Sequence, residues 1–435
     1  MNDSANRRRR PAELRGRLLD AGRDLFAEQG YPATTQRQIA SAAGVSPSVL
    51  FRNFGSKSQL LIEAVVDPFG AFVSDVYSAL DLTGGDRQSL ARGVIEDLQR
   101  RLGTHRLSLR ALLTTLQSTD GDVVMRETGA RMDTLFDRLA PMLETSRGAS
   151  EGAIGSSELA LRLLVGTITT MVVLDDWFLP RAPRPRQRQL ADLLASMTAA
   201  FSDDHGTVSV SSAPPPESDR TATPKNTTAG RERNGRRPTD EVRQSLLTAA
   251  TRLFVERGYS ATSYRDIAIA AATSESALYR HFGSKSSLLT EAVLQPFTSD
   301  FEAVSRRWAL TPPDSRRARQ PEFVGELYAV LARHRKPLRT LMGLANDPQH
   351  AELHAATAAW FARTFTELTA VSVHRARTEN ASLYEPELRI RAVMAMVLAA
   401  VALDDWFMPR DERAVQPGQV IPAVSALITS ARTLS

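Results

Sequence analysis

The chain of 435 residues contains no cysteine, which excludes disulfides, thiol catalysis and any thiolate-bound metal. Long apolar runs are also missing. The longest uncharged apolar runs, Leu163–Leu174 and Ala392–Leu403, hold 12 residues each, whereas a membrane-crossing helix needs about 20. They read as buried core helices, and no membrane partner is expected. Period-two alternation, the mark of a half-buried strand, is absent over any useful length. Charge of one sign does not dominate: 54 Lys and Arg against 49 Asp and Glu leave a net +5. That balance does not by itself point to a nucleic-acid partner. The basic opening, MNDSANRRRRPAE, is followed by no apolar stretch and does not read as a secretory signal. A cytoplasmic location is the expectation.

What the chain does have is a long internal repeat. Residues 18–69 return at 246–297 with a constant offset of 228, identical at 31 of the 52 aligned positions. Farther on, LDDWFLPR at Leu174–Arg181 returns as LDDWFMPR at Leu403–Arg410, offset by 229. Two markers at opposite ends of each half keep nearly the same spacing, so a unit of about 200 residues is duplicated. This is far too long for a solenoid repeat. It means two homologous units joined covalently.

Between the halves, the stretch from Asp203 to about Asn234 is rich in Ser, Thr, Pro and Gly and nearly free of large apolar residues. Such a composition cannot bury enough surface to offset ordering entropy, so it reads as a flexible linker. Its expected r.m.s. span is about 30 Å, enough to let the halves pack side by side. Basic residues precede each repeat: Arg7–Arg10, then Arg231, Arg233, Arg236 and Arg237. Their position, twice, favours arms that touch phosphate or the minor groove over solvated tails.

Within each half the periodicity is helical, and the class is all-α. Glu13–Glu28 carries Leu14, Leu18, Ala21, Leu25 and Phe26 on one stripe, and Gly30 stops it. Thr35 then caps a short helix, Gln36–Ala43. Gly44-Val45-Ser46 makes a tight turn, and Ser46 caps a third helix with Pro47 at its first position. Two short helices joined by a three-residue turn form a helix-turn-helix. Ala40 and Ala43 are small enough for a close crossing, which Val45 and Leu50 plug from below. Ser48, Phe51 and Arg52 share a face the core does not need. A hydroxyl, a ring and a guanidinium suit a major groove. Lys57 is a cation where the helix dipole prefers an anion, an arrangement that makes sense if a phosphate sits between it and the backbone N–H groups.

The run T-T-x-x-x-I-A-x-x-A-G-V-S-x-x-x-L-F-x-N-F-x-S-K-x-x-L resembles the TetR family of bacterial one-component transcription regulators. So does A-T-S-Y-R-D-I-A-x-A-A-A-T-S-x-S-A-L-Y-R-H-F-G-S-K-S-S-L in the second half. The resemblance implies two tandem units, each with a three-helix DNA-binding domain followed by a helical ligand-binding and dimerisation domain. It divides the chain into a basic arm at 1–10, a DNA-binding unit at 11–56 and a regulatory domain at 57–202. A linker at 203–236, a second DNA-binding unit at 237–284 and a second regulatory domain at 285–435 follow. By motif position, Thr35, Arg37, Ser46, Ser48, Phe51, Arg52, Asn53 and Lys57 would face DNA. Their counterparts are Ser263, Arg265, Ser274, Ser276, Tyr279, Arg280, His281 and Lys285. The family's tyrosine is Phe51 in the first copy and its histidine is Asn53. The turn glycine, kept as Gly44, is Ala272 in the second copy, at a cost of about 1 kcal/mol if positive φ is needed. The partners expected are a double-stranded DNA operator, read by two unequal units paired within one chain, and a small apolar effector. A homodimer of chains carrying four readers is the alternative assembly. No catalytic residue, metal site or cofactor is expected. The rival function is a helical ligand-binding scaffold with one or both DNA-binding units degenerate.

Other patterns carry less. Helices near Leu159–Phe178 and Leu388–Phe407 are apolar on nearly every face and should have neighbours on all sides. Final helices, roughly Gln187–Phe201 and Gln419–Leu434, would complete a four-helix bundle between the halves. Asp176-Trp177 and Asp405-Trp406 read as a helix end closed by Pro180 and Pro409, with the tryptophan as a core plug rather than a ligand or interface anchor. Gly148–Gly152 matches G-x-S-x-G around Ser150, but without the preceding strand that motif needs. His350 and His354 have metal-ligand spacing and no third ligand, so a solvent-facing pair is expected.

Overall fold

The computed structural model describes residues 2–70, 87–118, 120–145, 154–179, 184–199, 239–344, 350–378, 385–408 and 417–430. The linker at 203–236, the second basic run, Gly148–Gly152, Pro180 and Pro409 lie outside the described residues. Among the described residues every regular element is a helix.

The first half opens with α1 (Asn2–Ala33), which takes in the basic run and turns at Gly30, where φ is +76°. After it come α2 (Gln36–Ala42), α3 (Pro47–Phe54) and α4 (Lys57–Leu61), which runs on through a π-helical turn at Ile62–Val66. The remainder is α5 (Arg87–Thr104), α6 (Arg106–Thr114), α7 (Gly121–Thr145), α8 (Ile154–Val173), the single turn α9 (Asp175–Phe178) and α10 (Arg184–Ala199). The second half repeats the order. Its first four helices are α11 (Thr239–Arg257), α12 (Tyr264–Ala270), α13 (Glu275–Phe282) and α14 (Lys285–Leu289). Then come α15 (Gln295–Leu310), α16 (Pro313–Arg333), α17 (Arg335–Leu344), α18 (Ala351–Thr378), α19 (Pro386–Ala402), the turn α20 (Asp404–Phe407) and α21 (Pro417–Ser430).

The halves meet along α8 and α19, with α10 against α21 on the flank. Small residues let the central pair approach closely. A Cβ built on Gly166 would lie 3.1 Å from the Ala399 Cβ and 3.2 Å from the Phe407 ring. Helix α19 is buried from Ala392 through Ala402 with the one exception of Val393, as a helix with neighbours all round must be. Three arginines of α8 and α19, Arg162, Arg389 and Arg391, are nevertheless buried, and two of them are matched across the repeat. Arg162 is 1% exposed and Arg391 4%. Each pairs with the glutamate one turn before it, Glu158 at 2.7 Å and Glu387 at 2.7 Å. Each also lies over a ring, Phe136 at 4.5 Å and Phe365 at 4.6 Å. These contacts supply the compensation that a buried charge requires.

The Asp-Asp-Trp-Phe turns do plug the core, with Trp177 and Trp406 buried, but they do so against the opposite half and are interface anchors as well. Turn α9 packs on α18 of the other half, and α20 packs on α7. The Trp177 ring stacks on Phe361 at 5.1 Å, and Trp406 Nε1 donates to the Met125 sulfur at 3.0 Å. The two aspartates hold each turn to its own half. Arg110 Nη2 reaches Asp175 at 2.6 Å and Asp176 at 2.8 Å, with Arg106 also on Asp175. Arg339 and Arg335 do the same for Asp404 and Asp405. Burial still holds the Asp175 and Asp404 carboxyls above the usual carboxylate range, against the pull of these guanidinium groups.

Candidate nucleic-acid interface

Each helix-turn-helix is built from local signals. Thr35 Oγ1 accepts from the Gln38 N–H at 3.2 Å while the Gln38 side chain accepts from the Thr35 N–H at 2.8 Å, a reciprocal capping box. Ser263 and Asp266 form the same box, and the two bonds from Ser263 hold the Asp266 carboxyl below its ordinary range. The turn needs positive φ in both copies: +70° at Gly44 and +51° at Ala272. Ala40, Ala43 and Leu50 are buried at the crossing, as are Ala268, Ala271 and Leu278. Gly55 and Gly283, with φ of +70° and +68°, end the third helices.

The outward face is open. Thr35, Arg37, Ser46, Ser48, Phe51 and Arg52 are all exposed, and so are Ser263, Arg265, Ser274, Ser276, Tyr279 and Arg280. Phe51 is 61% exposed and Tyr279 51%, large apolar rings left to solvent by their own domains. Ser46 occupies the cap position of α3, but its hydroxyl makes no cap bond and pairs with the Ser48 hydroxyl at 2.9 Å. Ser274 does cap, accepting from the Ala277 N–H at 3.2 Å. Arg280 Nε leans back to the Ser276 carbonyl at 3.3 Å.

Four of the predicted residues, Lys57, Lys285, Asn53 and His281, are less exposed than that face. Lys57 Nζ donates to the carbonyls of Tyr31 and Thr34, both at 2.9 Å, and sits 4.0 Å over the Tyr31 ring. Lys285 repeats this, donating to the Tyr259 carbonyl at 2.5 Å with its ammonium 4.1 Å over the ring. Carbonyl dipoles and a π-face thus occupy the place assigned to a phosphate, and burial lowers the pKa of both lysines. Asn53 is half-buried, with Nδ2 donating to the Val49 carbonyl of its own helix at 2.8 Å. His281 is half-buried beside Phe282.

Other residues matter that spacing did not single out. Tyr31, held through Lys57, donates from its hydroxyl to Asp120 at 2.6 Å, and its N–H donates to Thr114 Oγ1 at 2.9 Å. These bonds latch the DNA-binding unit to the helical domain. In the second half Tyr259 faces the His350 ring edge-on at 4.6 Å. His354 reaches Asp176 of the first half at 3.4 Å. The expected solvent-facing histidine pair is therefore a packing residue and an interface residue, and no metal cluster occurs among the described residues. Arg15 and Arg243 tie the first helices to Glu63 and Glu291. Tyr264, at the start of α12, packs on Tyr279 with ring centroids 4.5 Å apart. The one signal available for Arg15, Tyr31 and Glu63 was their recurrence as Arg243, Tyr259 and Glu291.

The model for bacterial regulatory proteins of the tetR family matches twice, at residues 18–64 and 246–292. The transcriptional activator FasR of Mycolicibacterium smegmatis is 40% identical over 82 residues, 19% of this chain and 37% of that protein. The transcriptional repressor Rv3405c of Mycobacterium tuberculosis is 42% identical over 70 residues, 15% of this chain and 37% of that protein. In both cases the match spans little more than a third of the relative's length. A solved TetR-family regulator from Mesorhizobium loti MAFF303099 is 21% identical, covering 45% of this chain and 97% of its own, with a TM-score of 0.37. The chain carries the N-terminal domain of the tetR family of bacterial regulatory proteins twice.

Proposed function

We propose that the chain is a sequence-specific transcription regulator of double-stranded DNA in which one polypeptide supplies both readers. Residues 11–56 and 237–284 act as the DNA-binding units, with 57–202 and 285–435 as regulatory domains. The observation that carries this reading is the pair of exposed third-helix faces, Ser48-Phe51-Arg52 and Ser276-Tyr279-Arg280, on halves that pack together through α8 and α19. Two such readers fit successive major grooves about 34 Å apart. Because their side chains differ, the operator is pseudo-symmetric with unequal half-sites. Covalent linkage raises the effective concentration of one half for the other to about millimolar, so pairing does not depend on protein concentration. Repression is the direction we favour, by family analogy alone, and the few charges among the buried helices of the helical domains favour a small apolar effector to relieve it. No helix among the described residues is long and apolar enough to cross a membrane, in keeping with a cytoplasmic site of action.

Selection of duplexes from a random library with the full chain tests the reading. An enriched site with two unlike halves, bound by a chain that light scattering shows to be monomeric, supports it. A perfect palindrome bound by a dimer of chains favours the four-reader assembly. Absence of salt-dependent retention on any duplex favours a ligand-binding scaffold.

A further inference from the structure

The two readers differ in charge as well as shape. In the first, Arg37 and Arg52 share a surface with Gln38 and Pro47, both uncharged. In the second, Arg265 and Arg280 share theirs with two acids, Asp266 and Glu275. Asp266 is accounted for: it accepts the backbone N–H and the hydroxyl of Ser263 at 2.9 and 2.6 Å and so completes the α12 cap. Glu275 is not. It is exposed at the first position of α13, one turn ahead of Tyr279, and its side chain makes no hydrogen bond or ion pair with any described residue.

A carboxylate at a helix start interacts favourably with the helix dipole. That benefit accrues anywhere on a protein surface. At the start of a reading helix the same charge would stand among DNA phosphates, where it repels unless a base edge donates to it. The major groove offers two exocyclic amines. Adenine N6 is flanked by acceptors on both sides, N7 and the thymine O4, which repel an anion. Cytosine N4 has an acceptor on one side only, and it is the group a lone carboxylate matches. We infer that Glu275 is a specificity-determining residue that makes the second reader select a cytosine at one position, where Pro47 of the first reader offers no polar side-chain atom. The inference rests on the DNA-binding reading above.

The test is library selection with the full-length wild type, Glu275→Gln and Glu275→Pro, each checked for unchanged thermal unfolding. The wild type should enrich cytosine at one position of one half-site only, with discrimination of roughly 5- to 150-fold. Glu275→Gln should move that preference to adenine, whose N6 and N7 suit an amide. Glu275→Pro, which copies the first reader, should flatten it, and the other half-site should not change in either variant. Identical preferences in wild type and Glu275→Gln would overturn the inference and leave Glu275 a helix-start residue, with DNA binding intact. Loss of retention on every duplex by the wild type itself would instead overturn the DNA-binding reading beneath it.

Discussion

Arg162 of the first half donates from Nη1 to the Phe407 carbonyl oxygen of the second at 3.2 Å, and Arg391 returns the bond to the Phe178 carbonyl at 2.7 Å. Residue i meets residue j and the counterpart of j meets the counterpart of i, the pattern of a two-fold homodimer interface, realised here within one chain. The clamp is unequal in one respect: Arg162 also pairs with Asp133 at 2.8 Å, and the corresponding position in the second half is Ala362. Arg162→Ala therefore strands two carboxylates, Glu158 and Asp133, and Arg391→Ala strands Glu387. Denaturant unfolding should show a loss of about 3–5 kcal/mol for Arg162→Ala and a smaller loss for Arg391→Ala. Equal costs would show that Asp133 contributes nothing.

Gly166 sits where the two central helices cross. Substitution by Ala gains about 1 kcal/mol of helix propensity, but the new methyl meets Ala399 and Phe407 at 3.1–3.2 Å. Overpacking of this kind costs about 1–3 kcal/mol. Thermal unfolding should rank wild type above Gly166→Ala and Gly166→Ala above Gly166→Leu. A Leu variant as stable as the wild type would mean that the halves do not cross here in solution.

Ala272 holds φ at +51° where Gly44 holds +70°. An L-residue in that region is strained by about 1–2 kcal/mol, of which glycine's greater unfolded-state freedom gives part back. Ala272→Gly should stabilise the second DNA-binding unit by about 1 kcal/mol, and Gly44→Ala should destabilise the first by a similar amount. A methyl at Gly44 meets nothing nearer than Arg17 Nη1 at 4.0 Å, so the measurement reports backbone strain alone.

The helix-turn-helix was legible because its signals are local. Thr35 and Ser263 announce their caps, the small alanines announce the crossing, and the repeat states each signal twice. Lys57 was not legible. Its four-carbon stem carries the ammonium back across 26 residues of chain to Tyr31 and 23 to Thr34, a reach that spacing along one helix does not encode. The Asp-Asp-Trp-Phe turns were half legible. Their arginine partners recur as Arg106 and Arg110 in one half and Arg335 and Arg339 in the other, a repeated i, i+4 pair that foreshadows the ion pairs. The partner of Trp177 is Phe361, which lies in the opposite half, and no single-half pattern points to it.

Lys57 and Arg52 should separate cleanly in the same experiment. Lys57→Met removes the donor for two backbone carbonyls, so unfolding should show a loss of about 1–3 kcal/mol. Burial lowers the pKa of Lys57 in the folded chain, so between that value and 10.5 the unfolded chain binds its proton more tightly. In that window this lysine's contribution to stability rises with pH, and the rise should be missing in Lys57→Met. On DNA the order reverses. Arg52→Ala, at an exposed guanidinium, should flatten the plot of log affinity against log salt by about 0.9 if it meets a phosphate, while Lys57→Met leaves the slope alone. A slope that falls with Lys57→Met and holds with Arg52→Ala would return the lysine to the phosphate backbone and require it to leave the Tyr31 carbonyl on binding.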